Sequence, residues 1–130
     1  MNPRLITATT VLLAVTALGA LGACTDNQGS SSREAIEVVS TDDECRVAEP
    51  TAESGTLVFD VRNAGSQVTE FYLFGSDGRR VVGEVENVGP GLTRQLAVTA
   101  SPGEYVTACK PGMAGDGIRG TFTVTETEPG

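Results

Sequence analysis

Short β-rich runs, each closed by turn chemistry, constrain this chain more than any other feature of its sequence. Seven of them cover residues 36–41, 56–62, 69–74, 81–88, 93–99, 105–109 and 118–125. Between them stand Ser54-Gly55, Asn63-Ala64-Gly65-Ser66, Ser76-Asp77-Gly78, Gly89-Pro90-Gly91 and Ser101-Pro102-Gly103. Glycine and proline there supply backbone angles that a strand cannot continue through. Within 56–62, Leu57, Phe59 and Val61 alternate with Asp60 and Arg62, and Leu96 and Val98 alternate within 93–99. That is the period-two signature of strands with one face buried. No stretch after residue 33 has apolar residues at helical spacing with caps. The pattern predicts an all-β domain over residues 34–130, an antiparallel Greek-key sandwich of about seven strands. It leaves the strand order open.

The amino terminus reads differently. Arg4 is followed by an uncharged apolar run that closes on Leu21-Gly22-Ala23-Cys24. A basic residue, an apolar segment and small residues before a cleavage point make a secretory leader, here residues 1–23. Leu-Gly-Ala-Cys resembles the lipobox of bacterial lipoproteins, whose cysteine takes a diacylglyceryl group and becomes the mature amino terminus. The resemblance implies lipidation at Cys24 and a domain anchored to the outer face of a cell membrane. Residues 24–33 are polar and rich in Ser and Gly, the composition of a flexible tether whose ends lie about 17 Å apart. Beyond the leader the length suits one domain, with no room expected for a second.

Charge and composition exclude several functions. The chain carries −8, and loss of Arg4 with the leader makes the mature part −9. Such a balance argues against nucleic acid as a partner and is compatible with a cationic ligand. There is no histidine. That removes a Ser-His-Asp triad, a Cys-His pair and any imidazole-ligated zinc, copper or haem. No phosphate-binding glycine loop is present, and the chain is not expected to be an enzyme.

Three cysteines become an even pair once Cys24 carries lipid. In an oxidising compartment Cys45 and Cys109 are expected to form a disulfide. Closing a loop of that length contributes about 4 kcal/mol in the chain-entropy model. The alternative is a pair of thiolate ligands for a soft ion such as Cu(I).

Several motifs then line up in order. Cys45 opens a loop after the first strand, and Ala52-Glu53-Ser54-Gly55-Thr56-Leu57 leads into the second. Thr69-Glu70-Phe71-Tyr72-Leu73, Gly83-Glu84-Val85-Glu86-Asn87-Val88-Gly89-Pro90-Gly91 and Pro102-Gly103-Glu104-Tyr105-Val106-Thr107-Ala108-Cys109 follow. Together they resemble the cupredoxin-like domain of the EfeO family of bacterial iron-uptake lipoproteins. The resemblance implies a cupredoxin fold, an extracytoplasmic place at the membrane, and a role with iron or copper. It also implies as partners an iron permease and a haem peroxidase of one uptake system. Two departures stand out. The family's helical domain with its His-x-x-Glu motif is not expected in a sequence of this length without histidine, and of the acidic pair on the third strand only Glu70 matches, Tyr72 standing at the second position.

Candidate ligands follow from residue type and spacing. Glu84 and Glu86 are two apart, so on a strand both carboxylates leave the same face, as do Glu70 and Tyr72. Carboxylate and phenolate oxygens suit ferric iron, whereas sulfur suits reduced copper. Met113 lies four residues beyond Cys109 in the loop Cys109-Lys110-Pro111-Gly112-Met113, where blue-copper proteins place a methionine. Without histidine a type 1 copper centre is excluded. Two functions remain: a lipid-anchored metal-binding accessory protein, or a metal-free interaction module of the same fold at the cell surface.

Overall fold

The computed structural model describes residues 33–130. The leader, Cys24 and every tether residue except Arg33 lie outside the described residues. Nine strands form: β1 (Ile36–Ser40), β2 (Cys45–Val47), β3 (Thr51–Glu53), β4 (Gly55–Asn63), β5 (Thr69–Gly75), β6 (Val81–Val88), β7 (Thr93–Ala100), β8 (Gly103–Cys109) and β9 (Ile118–Thr125). A 3-10 turn, Pro111–Met113, precedes β9. The two strands beyond the expected seven, β2 and β3, have three residues each, too short to show alternation. Cys45 therefore opens a strand rather than a loop.

The strands make two layers, a four-stranded sheet ordered β2-β1-β4-β7 and a five-stranded sheet ordered β3-β9-β8-β5-β6. Two pairings, β1 with β4 and β3 with β9, are parallel. The sandwich is thus mixed rather than purely antiparallel. The physical reason is that the chain changes sheet repeatedly, between β2 and β3, β3 and β4, β4 and β5, β6 and β7, and β7 and β8. Strands linked by a crossover are free to run parallel, whereas a tight hairpin forces antiparallel pairing.

Alternation along β4 sends Leu57, Phe59 and Val61 inward, where they meet Phe71 and Leu73 of β5 and Phe122 and Val124 of β9. The Phe59 ring packs at 5.3 Å from Phe71 and 5.5 Å from Phe122, in tilted and edge-on geometry. Such pairs are favoured over face-to-face stacking by ring quadrupoles. The Pro102-Gly103-Glu104-Tyr105 motif makes a corner. Tyr105 Oη donates to the Ser101 carbonyl at 2.6 Å while its ring enters the core.

At the opposite end of β4, Asn63 ties the β4–β5 loop to the end of β6. Its Nδ2 donates to the carbonyls of Gln67 and Val88, both at 2.7 Å, and its Oδ1 accepts from Gly65 N at 2.9 Å. Asn63 is 1% exposed, so this saturated hydrogen bonding is what makes its burial affordable. Beside it Ser40 Oγ and Thr69 Oγ1, both fully buried, pair at 2.9 Å.

Candidate metal site on the outer face of the five-stranded sheet

Strand β5 lies inside its sheet and every one of its seven residues is buried. Phe71 and Leu73 face the sandwich core, whereas Tyr72 and Phe74 form a separate cluster with Ala108. That cluster occupies the outer face, because successive side chains on a strand alternate. The Tyr72 and Phe74 rings stack at 5.2 Å with an interplanar angle of 1°. Lys110 Nζ stands 4.4 Å above the Tyr72 ring, and the Arg119 guanidinium stands 5.0 Å from the Phe74 ring. Two long cationic side chains thus cover an aromatic pair that would otherwise face water.

The polar end of Tyr72 is where the expected ligands meet. Its hydroxyl donates to Glu70 Oε2 at 3.0 Å and stands 3.4 Å from Glu86 Oε1, a second acceptor. Glu84 is the direct cross-strand partner of Tyr72. Glu70 is 9% exposed, whereas Glu84 and Glu86 are exposed on the sheet edge. A register shift between Thr69 and Phe71 places an extra β6 residue there, next to Asn87 at φ 56°. The local twist of such a bulge redirects neighbouring side chains. It sits at the turn of strand that brings Glu86 toward the phenol.

The phenol is held protonated. Burial is the largest cause, and the hydrogen bond to Glu70 with the negative charges of Glu70, Glu84 and Glu86 adds to it. Together they push the Tyr72 pKa far above its ordinary value. One hydroxyl proton therefore occupies the space between two carboxylates, a position a hard cation can take in its stead, with the proton released to solvent. Among the described residues no three His, Cys, Asp or Glu side chains cluster closely enough to hold an ion by themselves. A cation here needs the phenol oxygen, with Glu70 and Glu86 as the carboxylates in contact with it.

The sulfur candidates lie elsewhere. Cys45 and Cys109 are joined as a disulfide that links β2 of one sheet to β8 of the other. Cys109 is fully buried within the main core. In this state neither offers a thiolate. Met113 is 44% exposed at the end of the 3-10 turn, which is fastened by hydrogen bonds from Gly112 N to Val68 O and from Met113 N to Lys110 O. The structure therefore brings Tyr72 together with Glu70, Glu84 and Glu86, and does not bring Met113 to free cysteine sulfur. Lys110 and Arg119 escaped the sequence reading, because their roles depend on β8 and β9 lying beside β5. The only signal was that Lys110 is the sole lysine of the chain. A cleft of about 450 Å³ lies around the start of β1 and the β2–β3 connection, lined by Glu34, Glu37 and Glu49 among others. It shares no residue with the Tyr72 cluster.

Comparisons with known proteins agree with this architecture. The chain is 30% identical over 74 residues to the iron uptake system component EfeO of Escherichia coli K12, and equally so to that of Shigella flexneri. The match covers 57% of this chain and 19% of each relative, so the chain spans about a fifth of their length. Among solved structures it is similar to the dithionite-reduced auracyanin of Roseiflexus castenholzii, with a TM-score of 0.59 and 22% identity over 70% of this chain and 96% of that one. It is similar also to auracyanin A of Chloroflexus aurantiacus, a blue copper protein, with a TM-score of 0.57 and 18% identity over 71% and 98% of the two chains. At these identities the likeness to the auracyanins speaks for the fold alone. Residues 11–124 match the model of the cupredoxin-like domain, and the chain belongs to that family.

Proposed function

We propose that this chain is an accessory component of a bacterial iron-uptake system that holds a hard metal cation, ferric iron first, outside the cytoplasmic membrane and passes it on. One observation carries the reading: the Tyr72 hydroxyl lies between the Glu70 and Glu86 carboxylates, on a domain 30% identical over 74 residues to part of EfeO. Oxygen-only donors favour a hard ion over reduced copper. Binding at a site open to solvent on its Glu84 and Glu86 side, without imidazole, favours an exchangeable cargo over a resident redox centre. The role is one of binding and delivery, not catalysis. Lipidation at Cys24 would keep the domain at the membrane, beside a permease and a haem peroxidase of the same system, because diacylation gives stable anchoring where one chain does not.

Titration of the full-length chain with Fe(III) from its citrate complex, and with Cu(I), tests this. Ferric binding tighter than about 0.1 mM, lost on Glu70→Gln, is expected. Failure of both ions to bind would turn the reading to the second function, a metal-free interaction module. The stacked Tyr72–Phe74 pair under Lys110 and Arg119 is the surface that function would use.

A further inference from the structure

We propose that Lys110 is the resident counter-cation of the Glu70–Tyr72–Glu84–Glu86 site, displaced by an incoming metal ion, and that it thereby sets the affinity and charge selectivity of the site. This inference rests on the metal-binding reading above.

Lys110 is the first residue after β8, and its backbone N donates to the Glu70 carbonyl at 2.8 Å. Its main chain is thereby fixed alongside the buried carboxylate. From there the side chain lies over the Tyr72 ring, with Nζ 4.4 Å from the centroid. The hydroxyl of that same ring sits between Glu70 and Glu86. Yet the ammonium forms no ion pair: the pairs within 4.0 Å among the described residues are Arg33–Glu53 and Arg62–Glu37. Lys110 therefore places a positive charge over the ring whose hydroxyl meets the glutamates, without being locked to any of them. Its half-buried position and its four-carbon stem allow the head to leave for solvent while the stem keeps covering the ring.

Arg119 differs. Its Nε donates to the Asp116 carbonyl at 2.9 Å and its Nη1 to the Gly78 carbonyl at 2.8 Å, which pin it over Phe74. One cation of the pair is structural and the other is exchangeable. Repulsion between Lys110 and a bound ion grows with the charge of the ion and weakens as salt screens it. A purely structural lysine would show neither dependence.

The test measures terbium(III) binding to the full-length chain by tyrosine-sensitised luminescence, with Fe(III) nitrilotriacetate as competitor. Lys110→Met keeps the stem over the ring and removes the charge, and is expected to bind terbium about tenfold tighter at low ionic strength. The gap should close near about 1 M salt, where the screening length falls to about 3 Å. Lys110→Arg keeps the charge and should stay within about twofold of the wild type. Wild-type binding with an unchanged or weaker Lys110→Met variant would overturn this inference and leave the metal-binding reading standing. Binding by Lys110→Met alone would support it while removing that reading for the native chain. If no variant binds, both fall.

Discussion

Cys45 and Cys109 stand 64 residues apart in sequence and are bonded to each other across the two sheets of the sandwich, with their Cα atoms 5.4 Å apart. The bond ties the edge strand β2 to the last residue of the interior strand β8, which Lys110 directly follows. Reduction, or a Cys45→Ser, Cys109→Ser double change, is expected to lower stability by about 4 kcal/mol through the longer free loop of the unfolded chain. Urea unfolding with and without reductant measures it, and coincident midpoints would contradict it.

Tyr72 should make the protein sensitive to alkali. A phenol whose folded pKa is raised keeps its proton when the unfolded chain has lost it. Its contribution is whole below the unfolded value of about 10 and is lost as pH rises from there toward the folded pKa. Thermal unfolding from pH 8 to 11 should show the wild type losing stability more steeply than Tyr72→Phe above pH 10. Parallel curves would mean that Tyr72 titrates normally.

Asp42 should act at the other end of the scale. It accepts from Ser66 Oγ at 2.6 Å and from Ser66 N at 2.9 Å, and its pKa is lowered chiefly by the Ser66 side chain and backbone. A carboxyl with a depressed folded pKa stabilises above its unfolded value and loses that contribution as pH falls through the folded one. The melting temperature of Asp42→Asn should therefore fall below that of wild type at pH 7 and approach it below about pH 3. A constant gap across that range would contradict the assignment.

Asn63→Ala should be among the costliest single changes at the loop end of the sandwich. It leaves the buried Val88 carbonyl, and the part-buried Gln67 carbonyl and Gly65 N–H, without their partner, at a cost of about 3 kcal/mol. Chemical denaturation measures the loss. An effect below about 0.5 kcal/mol, the ordinary range for surface changes, would show that water replaces all three bonds.

Cys24 lies outside the described residues, and its role is tested in cells. Wild-type protein should fractionate with membranes and begin at Cys24, whereas Cys24→Ala should accumulate as unlipidated precursor. A wild-type amino terminus found elsewhere, in an aqueous fraction, would remove the anchor.

Much of the architecture was legible in the order of residues. Alternation of Leu57, Phe59 and Val61, and the glycine- and proline-bearing turns around β4 to β9, define strands because period two and turn chemistry are local properties. The all-β sandwich follows from them. So does the shared face of Glu70 with Tyr72, which needs only the alternation of a strand. What no local pattern carries is which strands become neighbours. The parallel pairings of β1 with β4 and β3 with β9 come from sheet changes, and β2 and β3 are held by partners rather than by propensity. Likewise, that the Tyr72 hydroxyl meets Glu86 rather than water depends on β6 pairing with β5 and on the bulge beside Asn87. That Lys110 covers the Tyr72 ring depends on β8 lying on the other side of β5. Residue types determined what chemistry this chain could offer, and only tertiary pairing, which depends on contacts far apart in sequence, decided which of those groups touch.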